Sequence, residues 1–370
     1  EALLGFGDVK ATGRATSLLS NYTSINAGGN VLKCGSGCAF TTADIGKPLY
    51  LEYGGNSELP LWTSIIGVTG SPTRGIYPAV MLANTAQTTL PLPVQGLGGP
   101  LIVIGYQVMR NIDIGGIDFH NIGYWFQPGF TTVGYPLVQF GDVSQVTKQG
   151  LKFHDSTLVS ATNGCFANNG PNDQYLLQNV TCLGMTDTAF YLSGANSNGT
   201  IENVVVDNTK YPVPNTALWQ AFLLKTVSHI LIQHPIVRCK CFNYLIAIGD
   251  YANFHTTIEN ADLNGEESTP VGIGSNITSG LTVLNAQVQN IHGNVFRFDN
   301  AYVGSINGVT ITGTNAFNSG GGIWINDGTG TGLGPSNITF ENNKMQVSGN
   351  GIDVWKVEGT NQWSTNQLIN

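Results

Sequence analysis

The sequence predicts an all-β fold: a right-handed parallel β-helix built from one short strand-and-bend unit stacked on itself. Three observations predict it. First, nine stations read apolar, any, apolar, polar and then usually Asn, ending at Asn121, Asp155, Asn179, Asn203, His234, Asn260, Asn285, Asn307 and Asn342. They recur every 22 to 35 residues, the period of a solenoid repeat. Second, only 10% of the 370 residues are charged and 48 are Gly, which suits many short strands joined by tight turns. Third, 41% of the chain is hydrophobic and its apolar positions alternate, giving each strand one face for a core. Asn suits the bend because it tolerates the left-handed conformation and hydrogen-bonds neighbouring backbone.

Residues 1–105 lack the repeat. The blocks CAFTTADIGKPLYLEYGG, LPLWTSIIGVTG and YPAVMLANTAQTTLP are short strands broken by Gly and Pro. They are expected to form an N-terminal cap and β module, since an open solenoid end exposes apolar surface and a bare strand edge. Residues 106–358 are assigned to the β-helix, and 359–370 to a C-terminal tail or the start of a further domain. The first strand of each coil directs Phe119, Phe153, Leu177, Ile201, Ile232, Ile258, Val283, Ser305 and Phe340 inward. Its outward column is His120, His154, Gln178, Glu202, Gln233, Glu259, Leu284, Ile306 and Glu341. A second strand family lies about 20 residues later. Its outward positions are Tyr191, Leu223, Ala247, Gly272, Arg297, Trp324 and Asp353, followed by Ser193, Lys225, Gly249, Gly274, Asp299, Asn326 and Trp355.

Several functions are disfavoured. A net charge of −8 without a basic run argues against nucleic acid and against an anionic membrane surface. No apolar run approaches a membrane-spanning length. The opening EALLGFGDVKATG is not a signal peptide, so any such segment or preceding domain is expected to have been removed. Cys34 and Cys38 bracket a Gly-rich turn and could pair. Cys239 and Cys241 lie near His234 but have no matching second half for zinc, so packed or free thiols are expected and no metal. No G-x-S-x-G, P-loop or H-E-x-x-H motif is present, and no cofactor is expected.

Phe6 to Gly13 (FGDVKATG) resembles the opening of pectate-lyase-like β-helices, common in bacteriophage tailspikes and polysaccharide depolymerases. Phe40 to Lys47 (FTTADIGK), then Trp62 to Ile66 (WTSII) and Ala83 to Ala86 (ANTA), resemble the small β module that follows that opening. The likeness covers roughly the first 90 residues. Where the family continues into an Asp- and Thr-rich run and an amphipathic helix, this chain has Arg14 to Leu19. The resemblance implies a homotrimeric spike on a virion tail, or a secreted protein, that binds and cleaves bacterial O-antigen or capsule. The lean is to glycoside hydrolysis, because outward acids outnumber outward bases in the central coils. Two alternatives stay open: a lyase acting on a uronate polymer, and a non-catalytic glycan-binding adhesin or fibre shaft.

Two acid pairs are candidates. Glu202 and Glu259 share a column two rungs apart, so their Cα atoms lie roughly 9 to 10 Å apart. That is near the upper end of the carboxylate separation in inverting glycosidases. A solvated polar face or a subunit contact accounts for the same column, since exposed Glu is the default. Asp299 and Asp353 form the rival pair, with Arg297 either holding an acidic sugar or forming a surface ion pair. Small residues between Tyr191, Lys225, Arg297 and Trp324 would leave a groove for sugar rings. Tyr211 and Trp219, in the insert VDNTKYPVPNTALWQ, would wall it. NAFNSGGG and DGTGTGLGPS read as mobile. His120 and His154, stacked one rung apart, are a possible base pair for elimination or a surface stack. The outward apolar residues Leu231, Leu284, Ile306, Val309 and Ile311 suggest burial against another chain.

Overall fold

The computed structural model describes residues 4–6, 16–19, 24–33, 40–90, 101–105, 107–122, 136–140, 146–160, 164–185, 187–194, 196–209, 218–249, 253–276, 278–299, 306–326, 335–354 and 361–369. Cys34, Cys38, Tyr211, Ser305, Trp355 and most of the FGDVKATG and DGTGTGLGPS segments lie outside them, as do the side chains of His120 and Trp219. The chain forms a parallel β-helix with three strand faces. Sheet 1 has ten strands, among them Phe190–Ser193, Leu218–Leu224, Cys241–Ile248, Val271–Ser275, Asn294–Asp299, Gly321–Asn326 and Ile352–Val354. A 22-stranded network makes the other two faces. Sheet 2 carries the repeated station, as in Thr282–Leu284, Thr310–Thr312 and Thr339–Glu341. Sheet 3 follows the bend, as in Val205–Asp207, Ile236–Arg238, Asp262–Asn264, Gln287–Gln289, Asn315–Ser319 and Lys344–Val347. The strands Gln362–Ser364 and Gln367–Ile369 add a further rung to sheets 2 and 3.

The bend between sheets 2 and 3 is one column of left-handed residues: Asp155, Asn179, Asn203, His234, Asn260, Asn285, Gly313, Asn342 and Thr365, all with φ between 47° and 68°. A residue with a Cβ pays about 1–2 kcal/mol there, which Asn and Asp offset by local hydrogen bonding. The side chains also link rungs. Asn179 Nδ2 donates to Asp155 Oδ1 at 2.7 Å, and Asn260 Nδ2 lies 3.3 Å from His234 Nε2.

Two of the nine stations are misplaced by the sequence pattern. Phe153 pairs with Ile114 and His154 with Gly115, whereas Phe119 pairs with Leu158 on the next face. Gly116 therefore sits at the bend (φ 71°), and Gly115, not His120, is the register partner of His154. Likewise Ile311 lies between Val283 and Phe340, and Gly313 rather than Asn307 makes the bend. In both coils Gly meets the conformational need without the Asn that marks the motif. The second slip has a consequence for assembly. Ile306, Val309 and Ile311 are fully buried in the core, so they do not form an outward apolar face. Register also places Gly274, not Gly272, between Ala247 and Arg297. NAFNSGGG is ordered strand, covering Asn315–Ser319 and the start of Gly321–Asn326.

A second left-handed column opens sheet 2: Gly150, Gln174, Asn198, His229, His255, Gly280, Gly308 and Asn337. Its varied residue types hide it from a motif search. Between the columns one apolar core runs the length of the helix, with Phe190 and Phe222 stacked at 5.0 Å. Cys165 and Cys182 are joined by a disulfide inside this core. Cys239 and Cys241 also form a disulfide rather than packed or free thiols. No cysteine among the described residues is free.

The N-terminal module is a six-stranded antiparallel sheet in the order Thr16–Leu19, Leu101–Ile104, Pro48–Leu51, Leu61–Thr69, Ala79–Leu82 and Val31–Lys33. Thr16–Leu19 is thus a strand where the resembling family has a helix. The module's own core includes Phe40, Leu49, Tyr53 and Ile65 and takes in Phe254 from a central coil, with Tyr53 and Phe254 at 4.8 Å. The module therefore covers a flank of the solenoid. At its N-terminal end, Leu4–Phe6 continues sheet 1 by pairing with Pro136–Phe140.

Candidate functional site

Strand alternation puts Phe296 and Phe298 in the core and turns Arg297 and Asp299 outward on sheet 1. The outward column runs Ala167, Tyr191, Leu223, Ala247, Gly274, Arg297, Trp324 and Asp353. Arg297 Nε donates to Asp299 Oδ2 at 2.6 Å. The same guanidinium lies over the Trp324 ring, 4.6 Å from its centroid. The arrangement fixes the guanidinium by a carboxylate on one side and an aromatic face on another.

The second carboxyl oxygen, Asp299 Oδ1, is buried and has no hydrogen-bond partner among the described residues. Burial raises the Asp299 pKa above the usual carboxylate value, with the Arg297 hydrogen bond and charge acting in the opposite direction. A carboxyl held by one oxygen and bare at the other keeps a proton to higher pH than a free Asp and can donate it to a group placed against the bare oxygen. Asp353 is in register with Trp324, one rung beyond it, and accepts a 3.4 Å hydrogen bond from Asn350. At the other end of the face, the Lys225 ammonium lies 5.9 Å from the Tyr191 ring centroid.

Between these clusters the small residues do not leave an empty trough. A Cβ on Gly274 would fall 2.4 Å from Tyr244 Cε1, and one on Gly249 would fall 2.4 Å from Asn276 Oδ1. The Tyr244 ring and the Asn276 amide therefore lie across the middle of the face. Sequence reasoning missed both. Counting back from Ala247 by strict alternation makes Tyr244 an inward residue, and the misassigned Gly274 hid the space its ring covers.

On sheet 2, register confirms Glu202 and Glu259 two rungs apart with Gln233 between them. Each accepts an amide hydrogen bond from the preceding rung, Glu202 from Gln178 at 3.1 Å and Glu259 from Gln233 at 3.0 Å. The two candidate acid pairs stand on different faces, so the structure does not bring all four together. His154 is clamped between carboxylates, with Nδ1 2.7 Å from Asp155 and Nε2 2.8 Å from Asp113. The hydrogen bond to Asp155 and then that to Asp113 raise its pKa. Both ring nitrogens are engaged, which does not suit a base for proton abstraction. No group of three or more His, Cys, Asp or Glu among the described residues is placed to hold a metal. No helix among them is long and apolar enough to cross a membrane.

No family model and no curated protein matches the chain. Solved structures similar to it include the tailspike of Pseudomonas phage LKA1 at 10% identity, covering 96% of this chain and 64% of that one, with a TM-score of 0.35. Another is the tailspike of Acinetobacter baumannii bacteriophage AP22, solved with a capsular saccharide, at 11% identity, 98% and 61% coverage and a TM-score of 0.32. A third is the catalytic unit of an α-1,3-glucanase from Streptomyces thermodiastaticus, at 12% identity, 97% and 88% coverage and a TM-score of 0.31. The chain thus spans somewhat under two thirds of each tailspike's length. Likeness at this level leaves activity to be read from the site.

Proposed function

We propose that the protein is a tailspike-like depolymerase that binds and hydrolyses a bacterial surface polysaccharide, with its chemistry on sheet 1. The observation that carries this reading is the Arg297, Asp299 and Trp324 cluster: a half-buried carboxyl with a raised pKa and one bare oxygen, beside a cation and a half-buried indole ring. Trp324 supplies a surface for a sugar ring, and Arg297 a donor for hydroxyl or carboxylate oxygens. Asp299, protonated, is the general acid toward the glycosidic oxygen. Asp353, on the far side of Trp324, is the carboxylate that activates water. Tyr191 and Lys225 extend binding along the face, and Tyr244 lies between the two clusters. The homotrimer implied by the sequence resemblance belongs to the same reading.

The test is to incubate the protein with purified host polysaccharide and follow chain size, reducing ends and ultraviolet absorbance. Shortening with new reducing ends and no absorbance supports hydrolysis. Unsaturated, absorbing ends would establish elimination instead, and unchanged chain length across matched polymers would leave an adhesin.

A further inference from the structure

Outside sheet 1, a cavity of about 520 Å³ lies at the corner where sheet 3 turns into sheet 1. It is lined by Glu267, His292, Asn318, Gln346 and Ser348, with Ile291 and Val347 beneath. Its origin is local. The corner at residues 265–270 is longer than the next one at 290–293, so it overhangs the rungs that follow. Glu267, left-handed at φ 59°, is carried on that overhang and accepts from Asn318 Nδ2, two rungs along, at 3.4 Å.

Next to the cavity the rungs stack closely through glycines. A Cβ on Gly320 would meet the His292 carbonyl oxygen at 2.2 Å, and one on Gly349 would meet the Gly320 carbonyl oxygen at 2.7 Å. At these corners the neighbouring backbone is too close for any side chain. The walls offer a carboxylate, an imidazole, two amides and a hydroxyl, and contain no Lys or Arg.

We propose that this corner groove is an accessory sugar-binding site that takes a saccharide without negative charge and favours an amino sugar, whose ammonium would pair with Glu267. It rests on the polysaccharide reading and adds to it a second contact on another part of the surface. A chain held at two places on one protein dissociates more slowly than one held at either.

The test uses the whole chain, its His292 imidazole resonances assigned by their loss in His292→Gln, and three probes: a glucosamine hexamer, maltohexaose and hexagalacturonate. The glucosamine hexamer should shift those resonances most, maltohexaose less and hexagalacturonate not at all. Glu267→Gln should weaken the glucosamine hexamer about tenfold, as loss of one charge-assisted hydrogen bond implies. Ser348→Trp should abolish the shift by filling the groove. Unmoved His292 resonances with both of the first two probes, or an equal response to hexagalacturonate, would overturn the inference. So would an undiminished shift in a folded Ser348→Trp protein. Polymer shortening, measured in parallel, separates the two claims. Shortening without a His292 response sinks the groove alone, and a His292 response without shortening sustains it while removing the hydrolase.

Discussion

Replacing Arg297 with Gln tests the coupling at the centre of the site. The substitution removes the 2.6 Å bond to Asp299 and the cation over Trp324 while leaving the strand's inward residues in place. The Arg297 side chain is 39% exposed, so screening holds the ion pair's contribution to stability to about 1 kcal/mol or less. The stacked cation adds about 0.5–1 kcal/mol at such a site. The protein should therefore stay folded with a small fall in Tm. Function should respond more strongly, because loss of a charge-assisted bond to substrate is worth about 1.5–3 kcal/mol, or roughly 10- to 150-fold in KM. The pH profile gives a second reading. Burial raises the Asp299 pKa and Arg297 lowers it, so without Arg297 the raising influence is unopposed. The alkaline limb of kcat/KM, where a general acid loses its proton, should move to higher pH. Polymer-shortening rates across pH, with chain size read by chromatography, supply both quantities. A limb that moves to lower pH, or an unchanged KM and profile, would refute the coupling.

Other predictions concern the frame. Asn260→Val places a β-branched residue at φ 53° and breaks the contact with His234, so it should cost about 2–3 kcal/mol by denaturant midpoint, with Asn260→Gly milder. Equal midpoints for the two would remove the conformational argument for the bend column. Lys148 is buried beside the Phe140 carbonyl oxygen, and burial lowers its pKa from 10.5 to about 7. Between those values the unfolded chain binds the extra proton, so stability should rise with pH across that window and be flat below it. Lys148→Met should abolish that slope and raise stability at pH 7. For Asp299 the folded pKa is raised, so its contribution to stability should fall as pH rises from the ordinary Asp value of 3.8 through the folded one.

The architecture was legible because it rests on repetition. Phe153, Leu177, Ile201, Ile232, Ile258, Val283 and Phe340 are all buried as alternation requires. The errors fell where Gly replaced Asn. Gly116 and Gly313 make the same left-handed bend without the motif's polar side chain, and each drew the alignment to a nearby Asn. One such slip turned Ile306 and Ile311 outward and enlarged the expected apolar face, whereas both lie in the core and only Leu231 and Leu284 of that face remain half-buried on sheet 2. The site was legible as columns but not as contacts. Arg297 and Asp299 were read as neighbours on one face, yet the bare Asp299 oxygen depends on burial that no spacing encodes. Tyr244 escaped because its ring crosses rungs rather than following strict alternation.

The most direct test of the central claim compares Asp299→Asn with Glu202→Gln and Glu259→Gln in shortening of purified host polysaccharide. If the acid is on sheet 1, Asp299→Asn should lower the rate by about 10²- to 10⁴-fold with the chain still folded, and the two Glu variants should stay within a few-fold of the parent. An active Asp299→Asn protein, or loss of shortening in either Glu variant instead, would contradict the account and move the chemistry to sheet 2.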